Sequence, residues 1–361
     1  MANKTVLFIF TSPALGGATR STINIIQELQ KYGYIPKIIF PKEGPATSMI
    51  VDMGFTYDIA NLRQVSWQNP LRTLKVLWFW ICYLRKNDIR LVHTQDLFNT
   101  RNIMYPTFFT RTPVICHIRF PMEPQNWFFR RLPKPHTFIF NSNALQQQMQ
   151  TLLSKCPSAK SHVIYNSVDE ESFVPKQVDN VKLRVAIIAN FHKVKGHEDF
   201  FDMAAIVLAK YEQVVFDVIG DDTTGGTRME ELKLYSQKIS DNVYFHGSIK
   251  NVSEVVRDVD IVVCSSHEEP FGRCLIEGMA CEKPIVATRV GGIPEVVCDD
   301  SSILVPAKSP NKLAAAVLKL LQDKKLRLHM GRCGRQRVLK MFTNKVYVEN
   351  IVGVYKGILE K

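Results

Sequence analysis

The stretch IVVCSSHEEPFGRCLIEGMACEKPIVAT, residues 261–288, contains a strand, a loop, a helix and a second strand. The β-branched run IVVC gives way to a polar loop, after which Cys274, Ile276 and Met279 supply the apolar positions of a helix. Pro284 ends that helix, and the apolar run IVAT follows. A strand, a helix and a strand in this order predict a βαβ unit with parallel strands.

The same alternation continues along a chain of 361 residues, which is too long for one ordinary core. We expect strands at 4–11, 35–40, 89–94, 113–118, 137–140, 162–165, 183–189, 214–219, 243–247, 261–266, 284–288 and 302–305. A polar stretch at 166–182 separates the two sets of strands. The sequence therefore predicts two doubly wound α/β domains, 1–172 and 173–343, with a final helix at 344–361 that packs back on the first.

Composition narrows the class of protein. None of the eight cysteines forms a C-x-x-C pair, which argues against a zinc ribbon or dithiol motif and fits a reducing compartment. The N-terminus shows no stretch of signal-peptide length, and the most apolar segment, 73–86, contains Lys75 and is too short to span a bilayer. We therefore expect a cytoplasmic protein.

The net charge of +12 is concentrated in the first half, where residues 1–175 hold 19 Lys and Arg against 10 Asp and Glu. This asymmetry indicates an anionic partner, either a membrane surface, a phosphorylated lipid or a nucleic acid. The basic run at 326–340 has no aromatic residue and no RNA or DNA motif around it, so we expect a solvated helix face and no nucleic-acid partner.

Doubly wound sheets bind ligands at the carboxyl ends of their strands, so the loops after strands are the candidate sites. The first such loop carries Gly16 and Gly17 at a helix start, where backbone N–H groups can approach a phosphate, although a plain connecting turn would look the same. A later loop carries Lys195, a cation that could neutralise a diphosphate or simply be solvated. The G-x-G-x-x-G and Walker patterns are both missing from these loops, which counts against a dehydrogenase and a P-loop NTPase.

The loop HEEPFG and the helix that follows it present two carboxylates near one helix N-terminus. Glu269 lies before the helix and Glu277 lies in its second turn. Two carboxylates and the helix amides together suit a single polyhydroxyl ligand.

Seven runs in the chain resemble, in order, the retaining nucleotide-sugar glycosyltransferases of family 4, which have the GT-B fold of two Rossmann-like doubly wound domains. They are Gly16-Gly17, VIYNSVD at 163–169, Lys195-Gly196, DVIGDD at 217–222, VYFHGSIKN at 243–251, EPFGRCLIE at 269–277 and VATRVGGIPEVV at 286–297. The resemblance covers nearly the whole chain, and the E-x7-E run together with GGIPE is specific.

The resemblance implies a catalytic set of Glu269, His117 and Lys195. Glu269 would hold hydroxyls of the donor sugar, His117 would reach that sugar from the N-terminal domain, and Lys195 would bind the diphosphate. A lone histidine at the end of a strand is more often structural, so both readings of His117 stay open. Arg119, two residues further on, is a candidate contact for the acceptor or the sugar.

The resemblance also implies a donor-binding set. Its members are Gly16, Gly17, Asn190, Lys195, Phe271, Gly272, Arg273 and Glu277. Glu277 would accept hydrogen bonds from the ribose hydroxyls, and backbone amides near Phe271, Gly272 and Arg273 would help to grip the sugar. No metal and no cofactor are implied, and the substrate would be a UDP-sugar rather than a GDP-sugar.

Two positions depart from the family pattern. Asn190 stands where the family usually has an arginine, so that His192 or Lys193 would have to supply the charge. Ser167 replaces the glycine of N-G-V-D, and a serine would be strained there if the position needs a positive φ.

The sequence thus predicts a retaining, metal-independent hexosyltransferase that moves a sugar to a saccharide or lipid-linked saccharide acceptor in surface glycan or glycolipid synthesis. A nucleotide-sugar binding protein without transfer activity is one alternative, and an epimerase or hydrolase is another. A glycosidase pair of Glu269 and Glu277 would leave Lys195 unexplained. The D-x-D run that begins at Asp258 precedes its strand and is better read as a solvated helix end.

Two aromatic segments with cationic flanks suit a lipid headgroup region. They are NWFFRRLPKPH at 126–136 and the segment 71–86. We hypothesise peripheral contact with the anionic inner face of the cell membrane. An ordinary buried aromatic helix with charged edges is the alternative.

Overall fold

A computed structural model describes residues 4–60, 69–122, 133–176, 181–222, 226–247, 249 and 251–360. The chain divides into two compact units, the first formed by Met1–Asn166 with Asn344–Lys361 and the second by Ser167–Thr343. The second unit begins at Ser167 because the Val168 amide donates to the Phe342 carbonyl at 2.9 Å and Val168 forms a parallel bridge with Thr343.

The first unit contains one parallel sheet of seven strands. Its strands are β1 Thr5–Ile9, β2 Ile35–Phe40, β3 Asp58–Ile59, β4 Ile89–Thr94, β5 Val114–Ile118, β6 Thr137–Phe140 and β7 Lys160–Val163. They lie in the order β3-β2-β1-β4-β5-β6-β7. Every residue of strands β1 and β5 is buried, which explains why both are mostly apolar and show no alternation of apolar and polar residues.

Helices pack on this sheet. They are α1 Gly17–Leu29, α2 Pro45–Asp52, α3 Pro70–Lys86, α4 Leu97–Thr110, α5 Asn143–Gln148, α6 Gln150–Ser154 and the C-terminal α14 Asn344–Leu359, with a 3-10 turn at Gln30–Tyr32 after α1. Helix α14 packs against α1, and its Tyr347, Ile351 and Tyr355 enter the same buried cluster as Ile23 and Ile26 of α1.

The second unit contains a parallel sheet of six strands in the order β10-β9-β8-β11-β12-β13. The strands are β8 Leu183–Ile188, β9 Val214–Ile219, β10 Val243–Gly247, β11 Ile261–Cys264, β12 Ile285–Thr288 and β13 Ser302–Val305. The helices are α7 His197–Leu208, α8 Arg228–Gln237, α9 Val252–Asp258, α10 Arg273–Ala280, α11 Ile293–Val296, α12 Pro310–Gln322 and α13 Lys324–Met341.

The predicted α/β class is confirmed, and each predicted strand has a counterpart in these sheets. The strand that the sequence did not reveal, β3, is only two residues long. Ser167 does not have the positive φ that would strain it, since among described non-glycine residues that conformation occurs only at Asp88, Arg111, Glu282 and Lys308.

Two further expectations concern surfaces. Within the described ranges, the helices lack the combination of length and apolar character that crossing a bilayer requires.

The reading of 326–340 as a solvated face is incomplete, because Arg335 donates to the carbonyl oxygens of Phe173 and Ala280, and Arg337 donates to that of Val296 at 2.7 Å. These two guanidinium groups serve the fold of the second unit.

Candidate active site

Three loops meet at the carboxyl ends of neighbouring strands in the second unit. Strand β11 pairs with β8 on one side and β12 on the other, so that the loops after these strands share one edge of the sheet. The loop after β8 holds Lys195, the loop after β11 holds Glu269, and the loop after β12 holds Gly291 and Gly292.

The lysine loop is fixed against the loop after β11. Gly196 has φ +65°, and a Cβ at this position would lie 2.2 Å from the carbonyl oxygen of Ser265. The Ser265 hydroxyl donates to the Gly196 carbonyl at 2.8 Å, and the His267 amide donates to the Val194 carbonyl at 2.7 Å. Only glycine fits a left-handed position this close to another backbone, which gives the Lys-Gly pair a physical reason.

Lys195 and Glu269 form an ion pair, with 2.6 Å between Nζ and Oε2. Their side chains are 19% and 12% exposed, so the pair is largely shielded from water. Burial alone would lower the pKa of Lys195, but the attraction of Glu269 outweighs it and raises the pKa above its ordinary value. Lys195 therefore carries a full positive charge at neutral pH.

The backbone of Glu269 is held by the two glycines of the GGIPE run. The Gly292 amide donates to the Glu269 carbonyl at 2.9 Å, and a Cβ on Gly291, whose φ is +49°, would lie 2.1 Å from the same oxygen. These glycines set the position from which the Glu269 side chain reaches Lys195.

Helix α10 begins immediately after this carboxylate. Its N-cap is Gly272, at φ +92°, which has no side chain to occupy the first-turn amides. Phe271 is buried and packs edge-to-face on Phe342 with ring centroids 6.0 Å apart, so only its backbone is placed for a ligand. Glu277 is 8% exposed and accepts hydrogen bonds from the Arg273 Nε and Nη2 atoms at 3.3 and 3.1 Å.

Asn190 follows β8 and is half-buried. Its Oδ1 atom is sealed from solvent and has no hydrogen-bond partner among the described residues. His192 and Lys193, the proposed substitutes for the missing arginine, are both exposed in the same loop.

The remaining predicted residues belong to the first unit. Gly16 is the N-cap of α1 and Gly17 its first residue, both are exposed, and the first turn contains no acidic side chain. His117 lies in β5 and is 0% exposed, while Arg119 follows that strand and is 5% exposed. Arg119 Nη2 donates to His117 Nδ1 at 3.1 Å.

The second unit thus brings together Lys195 and Glu269, and places Glu277 on the helix that follows Glu269. The glycine pair of GGIPE belongs to the family pattern seen in the sequence, but the sequence predicted no role for it. It predicted no role for Ser265 or His267 either. The signal for the glycines was their place directly after a predicted strand. Serine and histidine at a loop start carry no comparable signal.

Comparison with known proteins agrees with this architecture. The family model described as Glycosyltransferase Family 4 matches residues 15–172, and the model described as Glycosyl transferases group 1 matches residues 168–337. The Anabaena protein HepE, solved in complex with UDP and glucose, superimposes with a TM-score of 0.84 at 18% identity, over 97% of this chain and 99% of that one. The GT-B fold predicted from the sequence is confirmed.

Curated relatives match at the level of sequence, and two of them illustrate the similarity. The N-acetyl-alpha-D-glucosaminyl L-malate synthase of Bacillus anthracis is 29% identical over 56% of this chain and 55% of its own length. A capsular polysaccharide biosynthesis glycosyltransferase of Staphylococcus aureus is 27% identical over 62% of this chain and 59% of its own length. The chain therefore spans little more than half the length of these relatives. Because the two family models together follow the chain from residue 15 to residue 337, it belongs to the group 1 and family 4 glycosyltransferases.

Proposed function

We propose that this chain is a retaining glycosyltransferase that moves a hexosyl group from a UDP-sugar to a saccharide or lipid-linked saccharide without the aid of a metal ion. The observation that carries the proposal is the pair of Lys195 and Glu269, 2.6 Å apart on loops fixed by Gly196 and Gly291. A cation suits a diphosphate and a carboxylate suits sugar hydroxyls, so the pair supplies what both halves of a donor require.

The chemistry follows from the charge that develops on the leaving group. When the bond between the anomeric carbon and the phosphate oxygen breaks, negative charge grows on the diphosphate. Lys195 and the amides at the start of α10 stabilise that negative charge while the anomeric carbon becomes oxocarbenium-like. The acceptor oxygen bonds to the anomeric carbon from the same face, and its proton passes to the departing phosphate. No protein nucleophile is used.

The ribose of the donor is assigned to Glu277. Arg273 holds this carboxylate from one turn away, and the oxygens of a carboxylate can accept hydrogen bonds from two neighbouring hydroxyls. The UDP bound by the Anabaena protein supports uracil as the base. We also propose Gly16 and Gly17, exposed residues at the start of α1, as phosphate contacts.

Calorimetric titration of UDP, GDP and ADP in the presence of a chelator tests the proposal. We expect UDP to bind selectively, and Glu277→Gln to weaken it roughly ten- to a hundredfold, because hydrogen bonds to a charged group contribute about 1.5–3 kcal/mol. Glu230→Gln, on the exposed face of α8, is the matched control and should leave binding unchanged. Failure of all three nucleotides to bind would contradict the donor site.

Turnover separates transfer from the alternative activities. Incubation with a UDP-hexose should release UDP only when a saccharide or lipid-linked saccharide acceptor is added. Equal release without an acceptor would indicate a hydrolase, and tight binding with no release under any condition would indicate a binding protein.

We further propose that the first unit contacts an anionic membrane surface through helix α3. The inner face of α3 is anchored, since Trp80 and Leu84 are buried and the Tyr83 hydroxyl donates to Asp58. The outer face is apolar and open, with Leu71, Leu74, Trp78 and Phe79 exposed by 74, 62, 68 and 47%. The other candidate segment, 126–136, lies mostly outside the described residues.

Charge on the same helix favours an anionic lipid over a protein groove. Arg72, Lys75, Arg85 and Lys86 are all exposed on α3, and the helix contains no acidic residue. Apolar side chains among cations at one surface suit the boundary between headgroups and acyl chains. This location would bring the enzyme to a lipid-linked acceptor at the inner face of the membrane.

Sedimentation with vesicles tests the membrane contact. We expect binding to vesicles rich in anionic lipid at low salt and little binding to zwitterionic ones. Leu74→Ser should weaken it roughly tenfold, while Leu234→Ser on α8, with a side chain 61% exposed against 62%, should not. Lys75→Glu and Lys233→Glu form a second matched pair that tests the charge. Equal effects within either pair would contradict the assignment to α3.

A further inference from the structure

A row of buried polar side chains crosses the first unit from the sheet to the C-terminal helix. His93 in β4 lies beside His117 in β5, with 3.2 Å between Nε2 of the former and Nδ1 of the latter. Tyr355 of α14 lies 2.6 Å from His93 Nδ1, and Arg119 reaches both His117 Nδ1 and the Tyr347 hydroxyl, at 3.1 and 3.3 Å. All five side chains are at most 5% exposed.

Arg119 decides where the proton on His117 lies. A guanidinium group can only donate hydrogen bonds, so His117 Nδ1 must present its lone pair to Arg119 Nη2. A neutral imidazole has one protonated and one bare nitrogen. The proton of His117 is therefore on Nε2.

The same reasoning continues to His93 and Tyr355. The single lone pair of His117 Nδ1 faces His93 Nε2 at 3.2 Å as well as Arg119 Nη2 at 3.1 Å, so it is a shared acceptor of two donors. His93 Nε2 must therefore carry a proton, since a bare nitrogen there would place two lone pairs against each other. His93 Nδ1 is then bare and accepts the hydroxyl proton of Tyr355. Each of these assignments follows from the fixed polarity of one arginine.

The protonation states agree with this order. Burial, and then the charge of Arg119, lower the pKa of both histidines well below the usual range, so that both are neutral at physiological pH. Burial raises the pKa of Tyr355 well above its ordinary value, so that it keeps its proton. Asp96, which also feels the charge of Arg119, accepts from the Asn99 amide and the Thr11 hydroxyl.

We propose that Arg119, His93 and Tyr355 are positioning residues that hold His117 as the Nε2–H tautomer, so that His117 meets substrate as a hydrogen-bond donor. The atom that remains is His117 Nε2, which is sealed from solvent in the free protein and has no partner among the described residues. A buried N–H without an acceptor is costly, so a substrate oxygen that reaches this atom would satisfy it. It suits an oxygen with an available lone pair, on a sugar or a phosphate, rather than a proton to be abstracted. The role in catalysis rests on the proposed transferase activity, whereas the tautomer does not.

Nitrogen NMR of the free protein reads the tautomer directly. With 15N-labelled histidine, and with His117→Gln and His93→Gln to assign the signals, both rings should show a protonated Nε2 and a bare Nδ1, unchanged from pH 5.5 to 8. In Arg119→Met, the His117 signals should move toward a mixture of tautomers. A protonated Nδ1 on His117, or titration of that ring within this range, would overturn the proposal.

Kinetics test the donor role with two near-isosteric amides. His117→Gln places an N–H near the position of Nε2, whereas His117→Asn places its amide near Nδ1. We expect the asparagine variant to lose roughly tenfold more kcat/KM than the glutamine variant, mainly through KM, because one hydrogen bond is lost. Equal losses would contradict a donor at Nε2.

Tyr355→Phe tests the far end of the row. It should loosen the His93 tautomer in the NMR spectrum and lower kcat/KM a few-fold. Tyr34→Phe is the matched control, because Tyr34 is buried in the same cluster and packs edge-to-face on Tyr355, yet its hydroxyl has no partner in the described part of the chain. If the tautomers are as proposed but no nucleotide sugar is turned over, the transferase proposal fails and the positions of the protons stand.

Discussion

The carbonyl oxygen of Glu269 occupies the space that a side chain on Gly291 would need. A Cβ there would lie 2.1 Å from that oxygen, and the φ of Gly291 is +49°, a conformation that other residues adopt at a cost. The GGIPE run thus fixes the backbone position of Glu269, the residue whose carboxylate is assigned to the donor sugar. Its chemistry lies in the residue it positions rather than in its own atoms.

Gly291→Ala should therefore lower both stability and activity. The substitution adds left-handed strain and a contact with backbone that cannot rotate away, and together we expect these to destabilise the second unit by about 1–3 kcal/mol. Displacement of Glu269 should also lower kcat/KM roughly a hundredfold, since small misplacements of a reacting group are costly. Gly353→Ala, in α14 with open space around the added Cβ, is the control; it should leave activity unchanged and should not destabilise the protein.

The Lys195–Glu269 pair predicts opposite effects on product and substrate. In the free protein the carboxylate of Glu269 is paired with the ammonium group of Lys195, which the diphosphate also needs. Glu269→Gln should therefore bind UDP as tightly as the wild type or more tightly, because a competing charge is gone, while turnover of the UDP-sugar falls. Calorimetry with UDP and a transfer assay check the two halves. Loss of UDP affinity in this variant would show that Glu269 supports the diphosphate site and does not compete with it.

Lys195→Met should show how much of the UDP affinity comes from the diphosphate and how much from the nucleoside. We expect UDP affinity to fall roughly a hundredfold, from the loss of charge-assisted hydrogen bonds, with uridine affinity unchanged. Lys193 is an exposed cation in the same loop. The variant Lys193→Met tests whether Lys193 supplies the charge of the arginine that the family usually has at the position of Asn190. A drop in UDP affinity in Lys193→Met would assign it that role, and no change would leave the diphosphate to Lys195 on this loop.

The sheets were predictable because the sequence of a buried parallel strand is a short run rich in β-branched residues. IVVC and IVAT are continuous and apolar because helices cover both of their faces. Strand β3 was not predictable, since two residues carry no period. The start of the second unit at Ser167 depends on the pairing of Val168 with Thr343, a contact between residues far apart in sequence.

The candidate site was predictable only in part, for a similar reason. Glu269 and Glu277 stand out because one lies just before a helix and the other lies within it. The residues that fix the loops of Lys195 and Glu269 do not stand out, since Ser265 and Gly291 act through contacts with backbone atoms that depend on the packing of loops. His93 and Tyr355 gave no local signal either, because their contact joins a strand to a helix 262 residues further on.

Acid should destabilise the second unit through His197, the first residue of α7. This side chain is 0% exposed and packs edge-to-face on Phe191. Burial is the main cause that lowers its pKa from 6.5 to about 4. Because the folded state disfavours the proton, the stabilisation is complete above pH 6.5 and is lost as the pH falls toward 4.

At pH 5, protonation of the unfolded chain should cost the wild type about 2 kcal/mol relative to pH 7.5 through this group alone. His197→Leu should lack that part of the pH dependence, whatever its stability at pH 7.5. His329→Leu, which removes an exposed histidine from α13, should keep all of it. Urea unfolding followed by far-ultraviolet circular dichroism at the two pH values gives the comparison. Because Trp78 and Trp80 lie in the first unit, tryptophan fluorescence would report on the wrong part of the chain. A difference between pH values that is the same in all three proteins would show that His197 is protonated equally in the folded and unfolded states.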